Sequence, residues 1–163
     1  MSEWINVAVD AMGGDNAPVE IIKGAAQAVQ QSERIKVFLV GKEEVIQKEL
    51  ANYSLPQEQV EIVNATEVIE TAEPPVAAIR AKKDSSIVKG MKLVKDGTCD
   101  AFVSAGSTGA VLVGGQVLVG RNKGVERPPL APVIPTAKGA ALLIDPEAVE
   151  IVAEGQNAVD LSG

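Results

Sequence analysis

The sequence contains no histidine, and that absence removes more chemistry than any residue present supplies. Without imidazole there is no Ser-His-Asp or Cys-His nucleophile pair, no histidine general base and no histidine-ligated metal. The single cysteine, Cys99, excludes a disulfide framework and a thiolate zinc site within the chain, so no metal is expected. It also fits a reducing cytosol. Cys99 precedes a predicted strand, has no base near it in sequence, and reads as a buried bystander. Aromatic residues amount to 2%, so the core must be packed from Val, Ile, Leu and Ala within a hydrophobic content of 46%. No apolar run approaches the roughly 20 residues of a membrane-spanning helix. Met1-Ser2-Glu3-Trp4 lacks the basic and apolar regions of a signal peptide, so the expected location is cytoplasmic. Chemistry must then come from positioning, hydroxyls, carboxylates, cations and backbone amides.

What is present points to one α/β domain. The 163 residues suffice for a sizeable core, and small aliphatic side chains with 15 glycines suit buried parallel strands covered by helices. A net charge of −7 argues against nucleic acid as a partner. The basic residues are nevertheless clustered. Arg80, Lys82, Lys83, Lys89, Lys92 and Lys95 share one stretch, and Arg121, Lys123 and Arg127 form a second group. The functional reading is a dock for an acidic partner, and the plain alternative is a solvated helix face.

The pattern alternates strand and helix. Ile5–Asp10 is a β-branched run ending in a carboxylate, and after the turn Ala11–Ala17 and Pro18 the spacing of Ile21, Ile22, Ala25 and Val29 predicts a helix. Lys36–Val40 is the second strand, Glu43 to about Ala51 an amphipathic helix, and Val60–Val63 the third strand. Helix patterns resume at Val76–Ala81 and Ile87–Lys95, followed by a strand at Asp100–Val103. Ala110–Val119 reads as a buried helix in which Gly114 and Gly115 allow close packing, although periodicity leaves a strand open. Arg121–Pro135, with four prolines, reads as extended or looped, and Ala140–Asp145 as a last buried strand. Such alternation predicts βαβ units and a mainly parallel sheet.

Three segments carry candidate chemistry. Ser104-Ala105-Gly106-Ser107-Thr108-Gly109 lies at the carboxyl end of a predicted strand and opens a helix, the place where open α/β sheets bind ligands. Its glycines let amides approach an anion, and Ser107 and Thr108 add hydroxyls. The alternative is a tight turn with a Ser or Thr cap. The loop lacks the lysine of a P-loop and the GxGxxG spacing. In the second segment, Asp10 ends a strand, Gly13-Gly14 makes a sharp turn, and Asp15 precedes the helix. These carboxylates would orient a cation or a substrate group near the anion, and Asp15 or Asn16 as a helix cap is the simpler reading. The third, Arg80-Ala81-Lys82-Lys83-Asp84-Ser85-Ser86, offers cations to offset transition-state charge, with Asp84 or Ser85 as a helix cap.

Together, Ala8–Pro18, Ala78–Ser86, Ser104–Ala110 and Gly124–Pro128 resemble, in order, the motifs of the PlsX family of bacterial phosphate acyltransferases, a resemblance running from Asn6 to about Asp145. It implies transfer of a fatty acyl group from acyl-[acyl carrier protein] to inorganic phosphate, giving acyl-phosphate, with no cofactor. It implies a three-layer α/β/α sandwich similar to the isocitrate/isopropylmalate dehydrogenase-like fold. It further implies a homodimer, peripheral association with the inner face of the membrane, and acyl carrier protein as partner. Carried over, it makes Asp10, Asp15, Arg80, Lys82 and Lys83 catalytic candidates, and Gly13, Gly14, Ser104, Gly106, Ser107, Thr108 and Gly109 phosphate ligands. The carrier dock would be Lys89, Lys92, Lys95, Arg121, Lys123 and Arg127. After Leu142–Asp145 the family's Asp-Val-Gly-Ala-Asn type segment is replaced by Pro146-Glu147-Ala148-Val149. Residues 1–145 therefore read as the family-like domain, 146–163 as an atypical tail, and the sheet as incomplete at its C-terminus. The competing readings are a phosphate-binding module without turnover and a phosphotransacetylase or dehydrogenase relative.

Overall fold

The computed structural model describes residues 4–125, 133–137 and 139–142. These fall into two compact units that divide between Gly120 and Arg121. The boundary expected at residue 145 lies outside the described residues.

The first unit is built on a four-stranded parallel sheet. In chain order it runs β1 (Ile5–Asp10), α1 (Val19–Gln31), β2 (Ile35–Gly41), α2 (Glu43–Leu50), β3 (Val60–Asn64), α3 (Pro75–Ala81), α4 (Ser86–Lys95), β4 (Ala101–Val103) and α5 (Thr108–Gly114). The spatial order is β3-β2-β1-β4, all neighbours parallel, with Val9 opposite Leu39 on one side and Val103 on the other.

Period-two alternation along the strands makes the three layers. Val9, Val37, Leu39 and Ile62 face one side and pack on Ile22 and Val29 of α1 and Ile46 of α2. Ala8, Phe38, Val40 and Val63 face the other and meet Leu93 and Val94 of α4, with Cys99 beside them. A third cluster joins Ala78 and Ile79 of α3, Ile87, Val88 and Met91 of α4, and Ala110 of α5. The buried stretch of β2 reads VFLV because both faces are covered there. Over β4 the α1 side is open: a groove of about 320 Å³ is lined by Val7, Val9, Ile21, Ala25 and Val103.

Two sequence expectations change. The apolar run Ala110–Val119 is not one buried helix. It is α5 followed by a π-helical turn at Gly115–Val119, and Val117 and Val119 are exposed. Its buried residues are Ala110 and Gly114, where a Cβ on Gly114 would press on the Met91 sulfur; Val111, Val113 and Leu118 pack half-buried on the same cluster, whereas Gly115 has open space. The expected last buried strand is instead the second arm of an antiparallel hairpin in the second unit, β5 (Val133–Thr136) with β6 (Gly139–Leu142). A glycine at positive φ, Gly139, turns the chain back on itself, which sequence alternation alone does not signal.

Candidate functional site

Strand order decides where a site can lie. From β1 the chain steps to β2 and β3 on one side, then crosses to β4 on the other side of β1. The direction of winding therefore reverses between β1 and β4, and a crevice outside the carboxyl ends of these strands is the natural ligand position of an open parallel sheet. The two loops leaving those strands are Ala11–Ala17 and Ser104–Ser107, the segments singled out by composition.

The first loop is shaped by Asp10. This side chain is fully buried, and its Oδ1 accepts the Met12 N–H at 3.1 Å, an Asx-type turn that bends the chain directly after the strand. Ala11 still pairs with β2 through its N–H on the Val40 carbonyl at 2.9 Å. Gly13 then comes to rest on the second loop. A Cβ there would overlap Asp10 Oδ2 and lie 2.9 Å from the Gly106 nitrogen. Gly14 has φ +107°, a backbone that only glycine adopts readily, and lies against Ala105.

The second loop is tied to the same carboxylate. Ser104 donates its hydroxyl to Asp10 Oδ2 at 2.7 Å and accepts the Gly106 N–H at 3.0 Å. Ser107 caps α5, its Oγ accepting the Ala110 N–H at 3.3 Å. Gly109 abuts Pro75 at the start of α3, where a Cβ would lie 2.6 Å from the proline Cγ. Sequence reasoning gave no role to Pro75, because the contact joins two helices that are distant in the chain.

The seven expected phosphate ligands thus divide. The Ser104 hydroxyl and the Gly106 amide are engaged within the loop. Among the described residues no hydrogen bond uses the backbone N–H of Gly13, Gly14, Ser107, Thr108 or Gly109. Those amides, with the exposed Thr108 side chain, are the donors facing no internal partner.

Asp15 is exposed, and neither it nor Asn16 caps α1. The chain makes two further turns, with the Ala17 N–H on the Gly14 carbonyl and the Glu20 N–H on the Asn16 carbonyl, so the helix begins past Pro18 without a side-chain cap.

The cations are arranged differently. Lys82 pairs with Glu73 at 2.5 Å and donates to the Val68 carbonyl, and this pairing holds the Glu73 carboxyl below its ordinary range. Lys83 reaches back to the Ile79 carbonyl at 3.2 Å. Lys89 is held by Asp84 at 2.5 Å and the Asn64 carbonyl at 2.6 Å. Ser85, not Asp84, caps α4 by accepting the Val88 N–H. Arg80 is exposed and makes no ion pair among the described residues. No hydrogen bond joins Arg80, Lys82 or Lys83 to the Ser104–Gly109 loop among those residues. Lys92 and Lys95 are exposed in the last turn of α4, where they also complement the helix dipole. Arg121 and Lys123 belong to the second unit, and Arg127 lies outside the described residues.

Asp84 links this segment to the exit of β3. Its carboxylate accepts from Lys89 and from the Thr66 hydroxyl and amide, which together hold it far below the usual carboxylate range. A folded value below the unfolded one contributes stability that is present above the unfolded value, about 3.9, and is lost as pH falls through the folded one. Thermal melts below about pH 4 should therefore lose stability more steeply in the wild type than in Asp84→Asn; equal slopes would remove the assignment. Burial, chiefly, pushes the Cys99 thiol up to about 11, the value of an inert core cysteine.

Comparison with known proteins now bears on this geometry. The family model described as "Fatty acid synthesis protein" matches residues 5–154. The chain belongs to the fatty acid synthesis protein family. Among curated members, the phosphate acyltransferase of Clostridium beijerinckii is 52% identical over 141 residues, which cover 86% of this chain and 42% of that protein. The phosphate acyltransferase of Caldanaerobacter subterraneus subsp. tengcongensis is 50% identical over 141 residues, covering 86% and 41%. That of Clostridium kluyveri is 49% identical over 139 residues, covering 85% and 41%. This family member therefore spans less than half the length of the curated relatives it matches. Both loops at the winding reversal fall within the family match. Among the described residues, no helix is long and apolar enough to cross a membrane.

Proposed function

We propose that this chain carries the phosphate-holding portion of an acyl-[acyl carrier protein]:phosphate acyltransferase, forming acyl-phosphate for phospholipid synthesis. The observation that carries the reading is the junction of the Gly13-Gly14 turn with the Ser104–Gly109 loop over buried Asp10, at the winding reversal of the sheet. Membership of a family of fatty acid synthesis proteins, with relatives named phosphate acyltransferase, supports acyl transfer to phosphate.

In this reaction phosphate is itself the nucleophile. An oxygen of hydrogen phosphate attacks the thioester carbon, the carbon–sulfur bond breaks, and the carrier leaves as its thiol, taking the proton that the phosphate gives up. No side-chain nucleophile is required, which suits a chain without histidine. The protein's part is to orient phosphate and stabilise the oxyanion. The amides of Gly13, Gly14, Ser107, Thr108 and Gly109 serve as donors, Ser104 and Gly106 hold the loop, and exposed Arg80, in no ion pair among the described residues, is a cation able to offset charge. Lys82 and Lys83 would first have to leave their present partners. Asp15, at the rim, would orient the substrate group. The proposal calls for no cofactor, and places the protein in the cytoplasm, peripheral to the inner face of the membrane and working as a homodimer.

Incubation with palmitoyl-carrier protein and labelled phosphate tests the reading. Acyl-phosphate formation supports it. Phosphate binding without product would assign the chain to an anion-holding module, and the absence of both product and phosphate binding would refute both readings.

The carrier dock is testable separately. Lys89 is committed to Asp84 and Asn64, so charge reversal there would disturb α4 itself. Lys92→Glu with Lys95→Glu should raise the carrier-protein KM roughly threefold to tenfold without changing phosphate binding, since exposed charges act mainly on encounter. An unchanged KM would remove α4 from the dock.

A further inference from the structure

We propose that Asp10 and Ser104 act together as positioning residues that set the direction of the phosphate loop, an inference that rests on the phosphate-seat reading above. Asp10 is fully buried at the end of β1, and a buried carboxylate persists only where donors satisfy it. Among the described residues it has two: the Met12 N–H on Oδ1 and the Ser104 hydroxyl on Oδ2. Ser104 has one proton to give, and it gives it to Asp10, so a lone pair is left for the Gly106 N–H at 3.0 Å. The chain Gly106 to Ser104 to Asp10 therefore has a fixed polarity, each bond strengthened by the charge at its end.

Three consequences follow. Gly106 is withdrawn from the donors open to an anion. Its peptide plane is fixed, and with it the start of the Ser107–Gly109 run. Gly13, wedged between Asp10 Oδ2 and the Gly106 nitrogen, ties the first loop to the same relay. The carboxylate does not touch the anion in this scheme. The Ser104 hydroxyl covers one of its oxygens and the Met12 amide the other, so a negative group sits beneath an anion seat without facing it.

The relay makes a specific claim about Asp10→Asn. With Oδ1 kept on the Met12 N–H, the new amide faces Ser104 and donates to it, the hydroxyl turns its proton to the direction its free lone pair held, and the bond from Gly106 loses the anionic end that orients and strengthens it. Asp10→Asn and Ser104→Ala should therefore loosen Gly106 by the same route, the first by removing the charge and the second by removing the acceptor. Calorimetric titration of the full chain with inorganic phosphate, at a temperature where parallel melts show each variant folded, is the test. Each single variant should lose roughly tenfold to hundredfold in affinity, the worth of a charge-assisted hydrogen bond. The double variant should lose no more than Ser104→Ala alone, and Ser104→Thr, which keeps the hydroxyl, should bind within about threefold of wild type. Amide exchange at Gly106 should accelerate in both single variants. Additive losses, or single variants that bind as wild type does, would overturn the relay while leaving the phosphate seat intact. A wild-type chain that binds no phosphate would instead overturn the seat, and the positioning role with it.

Discussion

Gly13→Ala should abolish phosphate binding and lower the melting temperature of the folded unit. The added methyl would overlap Asp10 Oδ2 and lie 2.9 Å from both the Asp10 Cγ and the Gly106 nitrogen. Neither neighbour is the loose end of a flexible side chain. The carboxylate is fixed by two hydrogen bonds, and Gly106 is backbone held by Ser104. Overpacking of this kind costs about 1–3 kcal/mol, and here relief comes only by separating the two loops that form the seat. Gly24→Ala is the matched control. It lies in α1 with nothing within 4 Å of its added methyl, and replacing glycine in a helix favours folding by up to about 1 kcal/mol. Melting curves and phosphate titrations of both variants decide the matter. Wild-type affinity in Gly13→Ala would contradict the proposed seat.

Leu39→Ala should be the most destabilising simple truncation. Leu39 is 1% exposed at the middle of β2, between β1 and β3, and packs in the cluster of Ile22, Val29 and Ile46 that seals α1 and α2 onto the sheet. Removing a buried leucine costs about 2–5 kcal/mol, a fall in melting temperature of about 10 °C for a unit of this size. Denaturant unfolding measures it. A loss under about 1 kcal/mol would mean that this layer is not packed as described.

Much of the sheet was legible because its signals are local. β1, β2 and β3 are short β-branched runs, and the Ile21, Ile22, Ala25, Val29 spacing falls in α1, whose buried stripe is Ile22, Ala26 and Val29, so element bounds agree within a residue or two. The parallel arrangement followed from strand and helix alternation. What could not be read is what distance in the chain conceals. Asp10 and Ser104 are 94 residues apart, and nothing in either segment announces that a serine expected to bind phosphate gives its proton to a buried carboxylate. Lys82 reads as a cation near an anion site, yet Glu73, across a loop, holds it. Ser107 meets the capping reading of its loop through its Oγ on α5, and its amide, without an internal partner among the described residues, leaves the anion reading open to test. The run after Ala110 misled because an apolar stretch shows where a chain is hydrophobic and not which part of it meets a neighbour.

The central claim is that the junction between the β1 and β4 exit loops holds phosphate on particular amides. The most direct measurement is a titration of the ¹⁵N-labelled chain with inorganic phosphate, followed amide by amide. The account predicts saturable shifts at Gly13, Gly14, Ser107, Thr108 and Gly109, a smaller response at the internally bonded Gly106, and none along α2 or β3. Shifts confined to the lysines' own segment on α4, or no saturable shift at any of the five amides, would contradict it.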